Sequence, residues 1–138
     1  MRRLLILLLY IVSTASTIAQ DTTKIEIPKI ISKLKIEHSL DFDSKSIKFV
    51  RVLEDSRCPT GVSCMWQGEV KILIEISENK KVIEEKELVF DSKSPSPDKA
   101  IQLLVTDQKT IYVFNVSPYP TSEGPIMKTA YFLELIVK

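Results

Sequence analysis

From Cys64 to Ser77 the chain alternates with a period of two. The even positions read Cys64, Trp66, Gly68, Val70, Ile72, Ile74 and Ile76. The odd positions read Met65, Gln67, Glu69, Lys71, Leu73, Glu75 and Ser77. Successive side chains of an extended strand point to opposite faces, so this segment predicts a strand with one dry face and one wet face. A polar turn, Glu78-Asn79-Lys80-Lys81, follows. Val82–Phe90 then alternates more weakly, and the two runs read as a hairpin. Further strands are expected at Ile30–Ile36, Ile47–Glu54, Ile101–Thr106, Ile111–Val116 and Lys128–Val137. In the last, Thr129, Tyr131, Leu133, Leu135 and Val137 share one face. Lys24–Ile27 reads as a short edge strand that Pro28 ends. Two proline-rich loops, Asp91–Asp98 and Ser117–Pro125, punctuate the pattern.

Seven or eight short strands with turn signals between them predict a single all-β domain, a mostly antiparallel β-sandwich, with a small β-barrel as the alternative. Composition points the same way. Beyond residue 19 the chain has 24 Ile and Val but only two Ala. Branching at Cβ suits a pleated strand and restricts χ1 in a helix.

The first residues follow a different pattern. Arg2 and Arg3 precede an unbroken apolar run, Leu4–Val12, and then small and polar residues, Ser13–Ala19. This is the layout of a secretory signal peptide over residues 1–19, with cleavage expected between Ala19 and Gln20. Nine apolar residues are too few to span a bilayer, which takes about 20. No other stretch of residues 20–138 is long and apolar enough to do so. The expected product is an exported domain of residues 20–138, periplasmic or extracellular. Removing the leader takes two arginines and no acid from a chain of 19 basic and 18 acidic residues, so the net charge changes from +1 to −1. So balanced a chain lacks the basic excess of a nucleic-acid binder.

The distinctive segment lies between two expected strands. Cys58 and Cys64 are the only cysteines, and in an exported chain they are expected to form a disulfide. Pro59 and Gly61 let so short a loop turn back on itself. Closing a loop of about seven residues is worth about 2.3 kcal/mol in the chain-entropy account. The spacing is not C-x-x-C, which argues against a redox pair. Trp66, two residues past Cys64, is expected to cover the disulfide and start the core, with ligand stacking on an exposed ring as the alternative. Gly68 leaves room for that ring or for close approach of another backbone. Asp55 and Arg57 flank the loop entrance, either as an ion pair that fixes the loop or as a charge pair facing a ligand.

The string Asp55-Ser56-Arg57-Cys58-Pro59, followed by Cys64, Trp66 and Gly68, resembles the motif of a family of small exported bacterial β-rich proteins. Its members carry a DSRCP-like string, a few residues, C-x-W-x-G and then an apolar strand. The Pro118-Tyr119-Pro120 segment and Tyr131 of a final strand fit the same pattern. The motif is sharp over residues 55–70. Small residues are common just after the family glycine, where this chain has Glu69 and Val70. The resemblance implies a secreted β-rich domain with a short disulfide loop, and it brings no activity with it.

The functional expectation follows from what is missing as much as from what is present. The lone His38 leaves little for a histidine metal site or a Ser-His-Asp triad, and no phosphate-cradling glycine loop or nucleophile elbow occurs. No catalytic residue, metal or cofactor is therefore expected. The chain reads as an exported, monomeric, non-enzymatic binding or envelope-associated module. Its partner would be an envelope or extracellular protein or a small ligand. The disulfide loop and the two proline-rich loops would form one recognition surface, with Asp55, Arg57 and Tyr119 as candidate contacts. The alternatives are a secreted enzyme inhibitor and, behind it, a small hydrolase.

Overall fold

The computed structural model describes residues 30–92 and 97–138. The expected signal peptide, the short strand at Lys24–Ile27 and the middle of the Ser/Pro loop lie outside those residues. Eight strands run in order: β1 (Ile30–Lys35), β2 (Ser39–Phe42), β3 (Lys45–Asp55), β4 (Glu69–Glu78), β5 (Lys81–Asp91), β6 (Ile101–Val105), β7 (Thr110–Ser117) and β8 (Phe132–Val137). They form two antiparallel four-stranded sheets, β1-β8-β7-β6 and β2-β3-β4-β5, packed as a sandwich rather than closed as a barrel.

The core follows the alternation. Val70, Ile72, Ile74 and Ile76 of β4 are buried, and they meet Ile111, Val113, Val116, Leu133 and Leu135 from the other sheet in one cluster. Ile47 and Phe49 of β3 and Leu34 of β1 complete its centre. Glu78 pairs with Lys81 across a two-residue turn in which Asn79 and Lys80 both take positive φ, 50° and 66°. Such a turn matches the twist of the strands it joins.

The structure departs from the expected strands in three places. The strand expected from Cys64 begins only at Glu69, because Gly68 adopts φ +70° and Cys64 is drawn into the disulfide. Trp66 therefore does not share the core face of β4 and is 75% exposed, which corrects the expectation that it packs over the disulfide. The strand expected from Lys128 begins at Phe132, after a 3-10 turn over Lys128–Ala130 that leaves Thr129 exposed. The short strand β2 carries only Leu40 and Phe42 as apolar signal. Its partner β3 gives it a regular register from Ser39↔Lys48 to Phe42↔Lys45.

Along β5 most side chains remain exposed, and Glu84 and Lys86 pair at 3.1 Å. This strand is a sheet edge, and charges along an edge discourage pairing with another chain. His38 sits exposed in the β1–β2 turn, its Nδ1 3.0 Å from the Ile36 carbonyl oxygen.

Candidate functional site

The turns at one end of the sandwich are tight: Asp43-Ser44, Asn79-Lys80 and Thr106–Lys109. The long β3–β4, β5–β6 and β7–β8 connections gather at the other end. They contain the three loops expected to form one surface, and the described parts of these loops are fastened together.

Arg57 is the main fastening. Just past β3 its side chain turns back onto Asp55, donating from Nε to Oδ1 at 2.8 Å and from Nη2 to Oδ2 at 2.6 Å. It then reaches the opposing sheet. Nη1 donates to the Val116 carbonyl at 2.6 Å and Nη2 to the Pro118 carbonyl at 3.0 Å. Its guanidinium carbon lies 5.0 Å from the centre of the Tyr119 ring, a cation–π distance. At 5% exposure Arg57 is the one buried polar or charged residue among the described residues.

The Tyr131 hydroxyl donates to Asp55 Oδ2 at 3.0 Å, so both carboxylate oxygens are occupied. Burial, then the Asp55 charge and hydrogen bond, push the Tyr131 phenol up to about 12, with Arg57 acting against the shift. Asp55 and Arg57 thus form the ion pair that fixes the loop. Tyr119, half-buried, packs against the same guanidinium.

The two limbs of the β3–β4 connection are laced together. Ser56 N donates to the Glu69 carbonyl at 2.9 Å, and Cys58 N to the Gln67 carbonyl at 2.9 Å. The Ser56 hydroxyl donates to the Glu69 carbonyl and accepts from the Glu69 N–H. The limbs approach so closely that a Cβ on Gly68 would fall 1.8 Å from the Ser56 carbonyl oxygen. Gly68 is therefore required by the neighbouring backbone, the second of the two roles expected for it. The Cys58–Cys64 disulfide closes the loop with Cα atoms 6.0 Å apart. Within it Val62 N donates to the Pro59 carbonyl at 3.3 Å, and Gly61 supplies φ +81°. This is the geometry of a type II turn with glycine at its third position.

Two open grooves flank this connection. One, of about 490 Å³, runs between the disulfide loop and the β7–β8 connection, with Pro59, Val62, Pro120, Thr121 and Ile126 among its walls and Tyr131 and Arg57 beneath. Thr60 N donates to the Pro120 carbonyl at 3.0 Å and holds its two sides together. The other, of about 410 Å³, is lined by Met65, Trp66, Gln67, Gly68, Glu69 and Asp91. Met65 is fully exposed. The Ser92 hydroxyl donates to the Gln67 carbonyl at 2.5 Å and the Ser92 N–H to the Gly68 carbonyl at 3.4 Å, which ties the start of the β5–β6 connection to this groove.

Val62, Thr121 and Ile126 of the first groove, and Met65, Gln67, Glu69 and Asp91 of the second, carry no motif signal. They become neighbours only through the folding of the loops. Among the described residues, no three His, Cys, Asp or Glu side chains are grouped to hold a metal ion, and no helix is long and apolar enough to cross a membrane. Comparison with protein-family models, curated proteins and solved structures found no match.

Proposed function

We propose that the protein is an exported, non-enzymatic binding module that recognises its partner with the loop end of the sandwich. The observation that carries this reading is the bracing of that end. A disulfide, a buried Arg57 reaching both sheets, and the Thr60 and Ser92 hydrogen bonds hold long connections in one arrangement around open grooves. A loop fixed in advance loses less entropy on binding, so its contacts translate more fully into affinity. Recognition residues sit characteristically on loops held by a rigid scaffold. The disulfide is consistent with an oxidising compartment, and the Arg2-Arg3 and Leu4–Val12 leader supports export. The DSRCP-like motif supports membership of the exported β-rich family. Its residues Arg57, Cys58, Cys64 and Gly68 build the brace.

The test is cross-linked affinity capture from the envelope fraction of the source cells with immobilised residues 20–138. The same capture is run with a V62E/T121R variant, which alters two exposed positions of the larger groove. A partner recovered by the wild type and lost by the variant is the expected result. Identical recovery by both, or no specific recovery by the wild type, overturns the reading.

A further inference from the structure

We propose that the Cys58–Cys64 bond is a redox latch on the larger groove. A dithiol reductant opens it, and one wall of the groove is released while the sandwich and the Arg57 brace stay folded. The consequence for recognition rests on the binding-module reading and names the regulation of that site.

The starting observation is how the hydrogen bonds of the β3–β4 connection are divided. Those that lace its limbs lie at or outside the base of the ring that the disulfide closes. Ser56 N donates to the Glu69 carbonyl and Cys58 N to the Gln67 carbonyl, both at 2.9 Å. Arg57, also outside the ring, holds Asp55, Val116 and Pro118. Residues 59–63, inside the ring, are held differently. All but Pro59 are exposed. Among the described residues their backbone–backbone bonds are two. Val62 N to the Pro59 carbonyl is internal to the loop, and Thr60 N to the Pro120 carbonyl at 3.0 Å crosses to the β7–β8 connection. The covalent ring is therefore what makes this segment a fixed surface.

That surface is one side of the groove. Pro59 and Val62 face Pro120, Thr121 and Ile126, with Tyr131 and Arg57 beneath. The opposite side and the floor all lie outside the ring. Opening the bond removes one wall and leaves the rest in place. Closing so short a ring supplies a small part of a domain's stability, so its loss is compatible with a folded sandwich.

The bond is also within reach of a reductant. Cys58 is 9% exposed, but Cys64 is half-buried between exposed Ser63 and Met65. Accessible disulfides are the labile and regulatory ones. A thiolate of the reductant attacks Cys64 Sγ, and Cys58 leaves as the thiolate. The second thiol of the reductant then displaces Cys64 from the mixed disulfide. The loop gains two electrons and two protons, and the reductant becomes a disulfide. The pair passes no electrons on to a substrate, so it does not need the C-x-x-C spacing of a catalytic redox pair.

Oxidised residues 20–138 are compared with the same chain treated with dithiothreitol without denaturant, and with C58S/C64S. Thiol titration follows the bond, melting follows the fold, and amide exchange read by NMR follows the loop. Two thiols should appear in the native protein, and the reduced chain and C58S/C64S should both melt cooperatively. Protection of the Thr60 and Val62 amides should fall at least about tenfold further than that of the Ser56 and Cys58 amides, the mark of local opening. Measuring against Ser56 and Cys58 removes any share due to global stability. Reoxidation should restore the starting spectrum. Envelope capture by the reduced chain and by C58S/C64S should be weaker by at least about tenfold. Thiols that appear only in denaturant overturn the proposal. So does a reduced chain without a cooperative melt, or a loss of protection at Thr60 and Val62 no larger than at Ser56 and Cys58. Undiminished capture by both open forms overturns the latch as a regulator and leaves the binding-module reading standing. Failure of capture by the oxidised chain removes that reading itself, and exchange still decides whether the latch opens.

Discussion

Arg57 donates a 2.6 Å hydrogen bond to the carbonyl oxygen of Val116, a residue 59 positions away on the other sheet. A side chain from the β3–β4 connection thereby completes the end of β7, and the two sheets of the sandwich share one buried charge. The remaining donors of the guanidinium bind Asp55 and the Pro118 carbonyl, so the loop end closes around a single residue.

Replacing Arg57 with Ala is expected to be severe. It would leave Asp55 buried without its counter-charge and two carbonyls without donors. Removing one partner of a buried pair costs about 3–5 kcal/mol. Equilibrium urea unfolding should show this loss. R57K should recover only part of it, because an ammonium cannot reproduce the planar fork that serves Asp55 and two carbonyls together.

The two loop glycines should respond differently to alanine. Gly61 and Gly68 both take positive φ, at 81° and 70°. A Cβ at Gly61 meets nothing within 4 Å, whereas at Gly68 it meets the Ser56 carbonyl. G61A should cost about 1–2 kcal/mol, the strain of the left-handed backbone. G68A should cost clearly more, and calorimetric melting of the two variants checks the order.

Alkaline pH should weaken the fold through Tyr131. Its phenol is raised from 10.0 to about 12 in the folded protein. Its contribution is therefore complete below the unfolded value of 10.0 and is lost as the pH rises through about 12. Y131F removes this titration and one hydrogen bond to Asp55. Its stability should fall less steeply than the wild type's between those pH values, as followed by urea midpoints.

W66A should be nearly neutral for stability, within about 0.5 kcal/mol, as is usual for an exposed position. The C58A/C64A pair should instead lose about 2 kcal/mol, the worth of closing so short a loop. Thermal melts of the two variants, side by side, test whether the tryptophan belongs to the core or to the surface.

The strands were legible because their signal is local. Val70, Ile72, Ile74 and Ile76 alternate with polar residues, and no distant contact is needed to read which face is dry. The Asn79-Lys80 turn and the disulfide were readable for the same reason, since few residues separate the groups concerned. Trp66 was misplaced because period two was carried backwards through Gly68. The alternation fails there at φ +70°, which the approach of the Ser56 backbone imposes. The strand β2 was missed because four residues carry too little pattern without the β3 register that defines it.

The linear order of residues thus specified an all-β chain with a closed loop between its third and fourth strands, because periodicity and short-range covalent closure act between near neighbours. Which side of that loop faces water, and that Arg57 locks it to Val116 and Pro118, came from packing between the sheets. Those contacts join residues some 60 positions apart, where a buried guanidinium must find acceptors and an indole displaced from the core is left in solvent.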